Sequence, residues 1–255
     1  KYINPFTDFG FKKLFGEEAN KDLLIDFLNE VLQLPDKIKS LNYLKNEQLG
    51  DTPLDRKAIF DLYCESESGE KFIVELQKAK QQFFKERSLY YATFAIQEQA
   101  VVGDWNFKLN KVFSVSILDF IFDGTPVDKF FHDVQLIETE SGQVFNDKLR
   151  FIYLEMPKFD KKEDELQTHF DKWIYLLKNL PRLQKVSPRF QERIFMKVLD
   201  AATIAKYNAE ERKKYEESLK YYRDWKNQLD TALEEGIEQG IQKGIEQGIQ
   251  QEKLE

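Results

Sequence analysis

Residues 61–77 read DLYCESESGEKFIVELQ. Two runs rich in apolar and aromatic residues, FDLYCES and EKFIVELQ, flank the tripeptide Glu67-Ser68-Gly69. A three-residue hairpin loop takes glycine at its last, left-handed position, and Gly69 stands there. The spacing predicts a hairpin in which Ser66 faces Glu70 and, counting back, Asp61 faces Glu75. Side chains alternate along a strand, so Glu75 and Gln77 share a face with Asp61 on the adjacent strand. Two carboxylates side by side repel each other. A hard divalent cation between them removes that repulsion, and Mg²⁺ commonly takes one or two carboxylates together with water and phosphate. The other reading is a polar, solvated face of a hairpin. Ile73 shares the Glu75 face, and Phe72, Val74 and Leu76 fill the opposite one. The pair therefore adjoins apolar surface while staying on the solvent side.

Upstream, Thr7 or Asp8 can cap a short helix that ends at Gly16. Asn20 opens a second helix whose Leu23, Leu24, Phe27, Leu28, Val31 and Leu32 form one apolar stripe, stopped by Pro35. Residues 38–49 read as a strand and 50–53 as a loop. Downstream, the stretch from Gln81 to Val102 has helical spacing, with Phe84, Ser88, Tyr91 and Ala95 on one face. Residues 110–122 include a near-continuous apolar run, the pattern of a central strand buried on both faces. A second hairpin joins 133–140 to 143–155 through Glu140-Ser141-Gly142. Glu155 reads as a strand-end charge rather than an extra site acid. Two hairpins and two further strands among helices predict a mixed sheet flanked by helices.

After Asp160 the period turns helical. Between Lys178 and Lys197 there are six Lys/Arg and one Glu. Residues 189–207 are expected to form one helix, with Arg189, Arg193 and Lys197 every four residues along one face. That face is the candidate for phosphate contact, against the plainer reading of a solvated helical face. The C-terminus repeats every four residues: Ile237, Ile241, Ile245 and Ile249, each preceded by glycine. A single helix cannot bury that stripe, so self-association into a homo-oligomer through the C-terminal helix is expected. From Asp230 onward the tail holds seven Asp/Glu and two Lys, and it should not touch DNA. The expected division is an α/β domain at 1–160, a helical region at 161–229 and a repeat tail at 230–255.

Asp61, a hairpin, and Glu75-Leu76-Gln77 together resemble the D…E-x-K core of the PD-(D/E)XK nuclease superfamily. The nearest branch is that of the PD-(D/E)XK nuclease family transposases, related to the recombination-promoting (Rpn-type) nucleases. Gln77 stands where the superfamily usually has Lys; in this branch Gln is frequent. The stretch NPFTDFGFKKLFG is similar to the family's opening signature through Asp8, Phe11, Lys12 and Phe15, and FKERSLYYA places Arg87 and Tyr91 where the family tends to carry them. The resemblance covers residues 1–160 well and the remainder loosely. It implies an α/β, restriction-endonuclease-like mixed sheet flanked by helices, followed by a helical C-terminal region. It also implies Asp61 and Glu75 as catalytic metal ligands, Gln77 as a third catalytic residue, and Mg²⁺ or Mn²⁺ as cofactor. Asp8 and Lys12 join the substrate-binding candidates, and the helix after the hairpin lends the site Arg87 and Gln81.

Composition bounds the alternatives. The chain has 255 residues and a formal net charge of −7, which argues against strong non-specific duplex binding. Cys64 is the one cysteine, so no internal disulfide can form and a reducing, cytoplasmic compartment fits. Cys64 alternates away from Asp61 and reads as a core thiol. His132 and His169 fall in separate elements, and no zinc or P-loop motif occurs. No apolar run reaches the length of a membrane span, and no signal-peptide pattern is present. The leading expectation is a Mg²⁺-dependent DNA endonuclease linked to recombination or transposition. The alternative is a weak or inactive nuclease fold that binds DNA or protein and self-associates through its tail. A purely structural assembly protein is the third reading.

Overall fold

The computed structural model describes residues 1–48 and 58–252. In chain order the elements are α1 (Asp8–Phe15), α2 (Lys21–Leu32), β1 (Leu41–Tyr43), β2 (Glu47–Gln48), β3 (Ala58–Ile59), β4 (Leu62–Ser66), β5 (Lys71–Gln77), α3 (Phe84–Gln97), β6 (Val112–Leu118), β7 (Phe131–Ile137), β8 (Val144–Glu155), α4 (His169–Asn179), α5 (Arg193–Ala201) and α6 (Ala209–Glu252). The main sheet has six strands in the order β1-β4-β5-β6-β8-β7, and β2 pairs with β3 apart from it. β4 and β5 form the expected antiparallel hairpin, with Leu62 opposite Val74 and Glu65 opposite Lys71. Gly69 takes φ +83°, and the Ser66 N–H donates to the Glu70 carbonyl at 2.9 Å to close the turn. From β5 the chain crosses through α3 to β6, which lies parallel to it, as does β8 on the far side. A parallel return needs such a crossover, and the helix covers the face it crosses.

Every residue of β6 is buried, which the apolar run required of a central parallel strand. On one face Tyr63, Ile73, Val112, Leu118, Phe151 and Tyr153 pack with Phe84, Ala92 and Ala95 of α3. On the other, Phe72, Val74, Phe113, Val115, Ile152 and Leu154 are also buried. A helical layer is pinned by the rings of Phe15, Phe27, Trp173 and Phe195. Arg150 of β8 ties the sheet to this layer by donating to the Leu32 carbonyl at 2.9 Å.

Local chemistry explains the helix ends. Thr7, not Asp8, caps α1, its Oγ1 accepting from the Gly10 N–H at 2.9 Å. Gly10 is forced by crowding, since a Cβ there would lie 2.1 Å from the Asn4 carbonyl oxygen. The stripe of α2 is buried at all six expected positions. Asn20 precedes α2 but makes no side-chain cap; its amide donates instead to the Lys13 carbonyl at 2.8 Å.

Three expectations change. The strand over 38–49 is broken into β1 and β2, and its last residue and the 50–53 loop lie outside the described residues. The single helix from Arg189 is interrupted. Arg189 sits in a 3₁₀ turn (Pro188–Phe190), Glu192 is extended, and α5 begins only at Arg193. Glu192 is held by Lys172 and by His169 at 2.8 Å, and these bonds compete with helix continuation. Finally, α4 and α5 pack against α2 in the same compact unit as the sheet, which spans residues 1–206. The switch of period near residue 160 is a change of element type inside that unit. Residues 207–255 form a second unit. There Asn208 and Glu211 exchange reciprocal bonds at 2.9 Å at the start of α6. Ile237, Ile241, Ile245 and Ile249 are exposed along it. Among the described residues no helix is long and apolar enough to cross a membrane.

Candidate active site

The hairpin register does the first work at the site. Leu62 pairs with Val74, so Asp61, just ahead of β4, comes opposite Glu75. The two are cross-braced by the backbone. Asp61 Oδ2 accepts from the Leu76 N–H at 2.7 Å, and Glu75 Oε1 accepts from the Asp61 N–H at 3.3 Å. Gln77, two residues on and on the same face, donates its Nε2 to Glu75 Oε2 at 3.0 Å. Asp61, Glu75 and Gln77 thus form one connected set. Among the described residues the donors to these carboxylates are backbone or amide groups, and none is a cation.

Glu75 is not on a solvent side. It is only 6 % exposed, because its face of the sheet is the one that α3 covers. Burial, followed by the charge of Asp61, pushes its carboxyl up to about 8, against the opposing pull of the Asp61 N–H, Arg87 and Gln77. Asp61 is raised too, first by burial, with the Leu76 N–H acting against the rise. Asp8 adds to the rise, and Lys12 and Lys78 oppose it. Asp8 and Lys12 of α1, paired at 2.9 Å, therefore stand within electrostatic reach of the hairpin acids. Arg87 of α3 does as well; its guanidinium lies over the rings of Phe84 and Tyr91 and bonds Gln81.

The other basic candidates lie elsewhere. Arg189 Nη1 donates to the Leu166 carbonyl at 3.2 Å. Lys197 is tied to Asp22 and to the Ala19 carbonyl of the segment before α2. Arg193 is exposed at the start of α5. None of the three is among the strongest influences on Asp61 or Glu75.

Lys78 and Ser116 were not singled out from the sequence. Lys78 directly follows Gln77, and that adjacency was its one available signal. Burial pulls its ammonium down, while Asp8 and Asp61 act in the opposite sense. Ser116 pairs with Glu75 across the parallel β5–β6 ladder, which no local pattern reveals. It is fully buried, and its hydroxyl has no hydrogen-bond partner among the described residues. Cys64 is a buried thiol pushed up to about 12 by burial, the inert core group expected.

Glu155 is a strand-end acid, but it is fully buried rather than a surface charge. It accepts from the Phe122 N–H at 3.1 Å and Thr125 Oγ1 at 2.9 Å, pairs with Lys158, and lies 3.5 Å from His132. His169 bridges Asp26 and Glu192. Neither histidine joins the hairpin acids.

The donor set suits a hard divalent cation. Two carboxylates converge, and among the described residues no bonded cation neutralises their mutual repulsion and the buried Ser116 hydroxyl beside Glu75 has no partner. Such an orphan calls for a water or an ion. Among the described residues no group of three or more His, Cys, Asp or Glu could hold a metal, so water or phosphate oxygens would complete the shell.

The family model described as PD-(D/E)XK nuclease family transposase matches residues 5–232, and the chain belongs to that family. Its mixed sheet flanked by helices agrees with the restriction-endonuclease-like α/β fold, and the family carries a nuclease-type function, generally with divalent metals. No curated protein and no solved structure matches.

Proposed function

We propose, from the chain's membership of the PD-(D/E)XK nuclease family transposases, that it is a Mg²⁺- or Mn²⁺-dependent DNA endonuclease that hydrolyses phosphodiester bonds at Asp61, Glu75 and Gln77. The observation that carries the reading is the convergence of the buried Glu75 and the half-buried Asp61, with no cation bonded to either among the described residues. Asp61 and Glu75 would hold the metal. When bound, it would supply Lewis-acid polarisation of the phosphate and a more acidic water. The Leu76 and Asp61 N–H groups fix the directions of the two carboxylates before substrate arrives. Gln77 has no titratable proton and cannot act as a base. With Nε2 committed to Glu75, its Oε1 remains an acceptor that can orient an attacking water. Lys12, Lys78 and Arg87 surround the acids with positive charge that favours an approaching phosphate.

The test is plasmid nicking by the purified full chain with Mg²⁺ or Mn²⁺, beside an Asp61→Ala control. Nicking that requires metal and disappears in the control supports the reading. Nicking that persists in the control rejects this site. Binding without any nicking moves the chain to the reading of a catalytically inactive DNA-binding module.

The exposed stripe of α6 supports self-association. Leu229, Leu233, Ile237, Ile241, Ile245 and Ile249 recur every four residues and are all exposed. A period above 3.6 makes the stripe wind around the axis, so a partner must wrap with it. Each interior glycine costs about 1 kcal/mol relative to alanine, and a partner would offset that cost. Sedimentation of the full chain should give a multiple of the monomer mass, and a chain ending at Leu229 should sediment as a monomer. The same association state in both rules the tail out of the interface.

A further inference from the structure

Beyond Gln77 the chain turns through residues 78–82 into α3 and walls one side of a cleft of about 430 Å³. Lys80, Phe83, Phe84 and Lys85 line that side, and Phe122 and Asp123, from the connection after β6, line the other. The volume falls in the ordinary range of ligand pockets, about 300–1,000 Å³. It is room for one nucleotide, not for a duplex.

Phe83 is the anomaly of this cleft. It occupies the N-cap position of α3 with φ 62° and ψ 30°, a left-handed conformation that is strained for a bulky side chain. It supplies no capping oxygen, although Ser, Asp, Asn or Gly would suit the position better. Its ring is 65 % exposed, so it returns little to the core. Backbone strain, a lost cap and an exposed ring all oppose folding at a single residue, which is the pattern of a functional position.

The surroundings are those of a base-stacking site. The Lys85 ammonium sits 4.7 Å over the Phe122 ring, and Lys80 pairs with Asp123 across the mouth. The far wall is anchored, because the Phe122 N–H and the Thr125 hydroxyl both bond the buried Glu155. The Asp119 N–H donates to the Gln77 carbonyl at 2.8 Å, which joins this wall to the end of β5. Arg87, within the first turns of α3, bonds Gln81 of the cleft and acts on Glu75. An aromatic ring can stack only on a base whose face is uncovered, and in a duplex those faces are taken.

We propose that this cleft takes one unpaired nucleotide of the substrate strand beside the scissile phosphate, with its base stacked on Phe83. This deepens the nuclease reading and rests on it for the scissile phosphate. The lining balances Lys80 and Lys85 against Glu86 and Asp123, so stacking rather than charge neutralisation supplies the affinity. The preferred substrates are single strands, flaps, bulges or opened ends.

The test is binding by the full chain in EDTA, so it does not depend on cleavage. Fluorescence anisotropy compares a labelled oligothymidylate of twelve or so nucleotides with a strand of equal length carrying abasic sites and with a blunt duplex. Wild type should bind oligothymidylate about tenfold tighter than the abasic strand. Phe83→Asn should lose that margin while raising Tm, because Asn both tolerates the left-handed backbone and caps the helix. Phe83→Tyr should keep the margin. The opposite signs of the Asn variant separate a binding role from a structural one. Equal affinity for oligothymidylate in wild type and Phe83→Asn overturns the proposal, as does an abasic strand that binds as tightly as oligothymidylate. Metal-dependent nicking in either case would leave the nuclease reading standing.

Discussion

Two glutamates stand at the same edge of the sheet and meet opposite fates. Glu75 lies two residues from the end of β5 and Glu155 ends β8; both strands run parallel to β6, and the two acids share a face, opposite Ser116 and Leu118. Both are buried. Glu155 is surrounded by Lys158, the Thr125 hydroxyl and the Phe122 N–H. Burial alone would raise it, but these partners win and hold it below the usual carboxylate range. Burial, and then the second carboxylate beside it, push Glu75 up to about 8. A buried acid with matched partners is a structural fixture. A buried acid left facing another acid is waiting for a cation or a proton.

The sharpest way to break the comparison is by cleavage. Asp61→Ala or Glu75→Ala should lower plasmid nicking on the order of a thousandfold, since a metal contributes several kcal/mol to phosphoryl chemistry. Far-UV circular dichroism should show the fold retained. Glu155→Gln, with the carboxylate shape kept, should leave the metal requirement unchanged.

Stability should respond the other way. Glu155→Ala strands Lys158 inside the protein and should cost about 3–5 kcal/mol, read as a drop in the denaturant midpoint. Glu75→Gln removes a disfavoured charge and should not lower the midpoint in metal-free buffer. A large loss at Glu75→Gln would mean that the acid is needed for folding.

The two acids should also oppose each other in pH. Glu75 binds its proton more tightly in the native state than its ordinary value of 4.5. Its contribution to stability is full below about 4.5 and is lost as pH rises towards about 8. Glu155 is lowered in the native state, so its contribution is full above the unfolded value and is lost as pH falls below about 4.5. In EDTA, Tm should therefore fall by several degrees between pH 5 and pH 8, at about 2–4 °C per kcal/mol for a unit of this size. Glu75→Gln should flatten that fall. Mg²⁺ should raise Tm more at pH 8 than at pH 6, because it competes with protons for the pair.

The smallest effects should come from Gln77. Gln77→Ala removes the bond to Glu75 Oε2 and should slow nicking about tenfold. Gln77→Lys places an ammonium beside Glu75 and should pull that acid down, which a shift of the pH–rate profile to lower pH would report. An unshifted profile would separate Glu75 from the rate-controlling ionisation.

Much of this was legible in one dimension. Gly69 and the two-residue alternation determine the hairpin register, so Asp61 comes opposite Glu75 before any packing is known. The apolar run of β6 already implies a strand covered on both faces, and the six apolar positions of α2 already imply one buried stripe. These follow from local periods of 2.0 and 3.6 residues, which depend only on the chain's own geometry.

Periodicity says which residues share a side, not what lies over that side. That α3 seals Glu75 depends on which face the crossover to β6 covers, and the placing of Ser116 beside Glu75 and of Phe122 on Glu155 joins residues more than thirty apart in sequence. The same holds for the cations. Arg189 and Lys197 look alike in the sequence, yet Arg189 braces the Leu166 carbonyl and Lys197 braces the segment before α2. A lysine or an acid carries its charge wherever it lies. Whether that charge is solvated, paired or left facing its own kind is decided by the desolvation and the neighbours that the tertiary fold imposes.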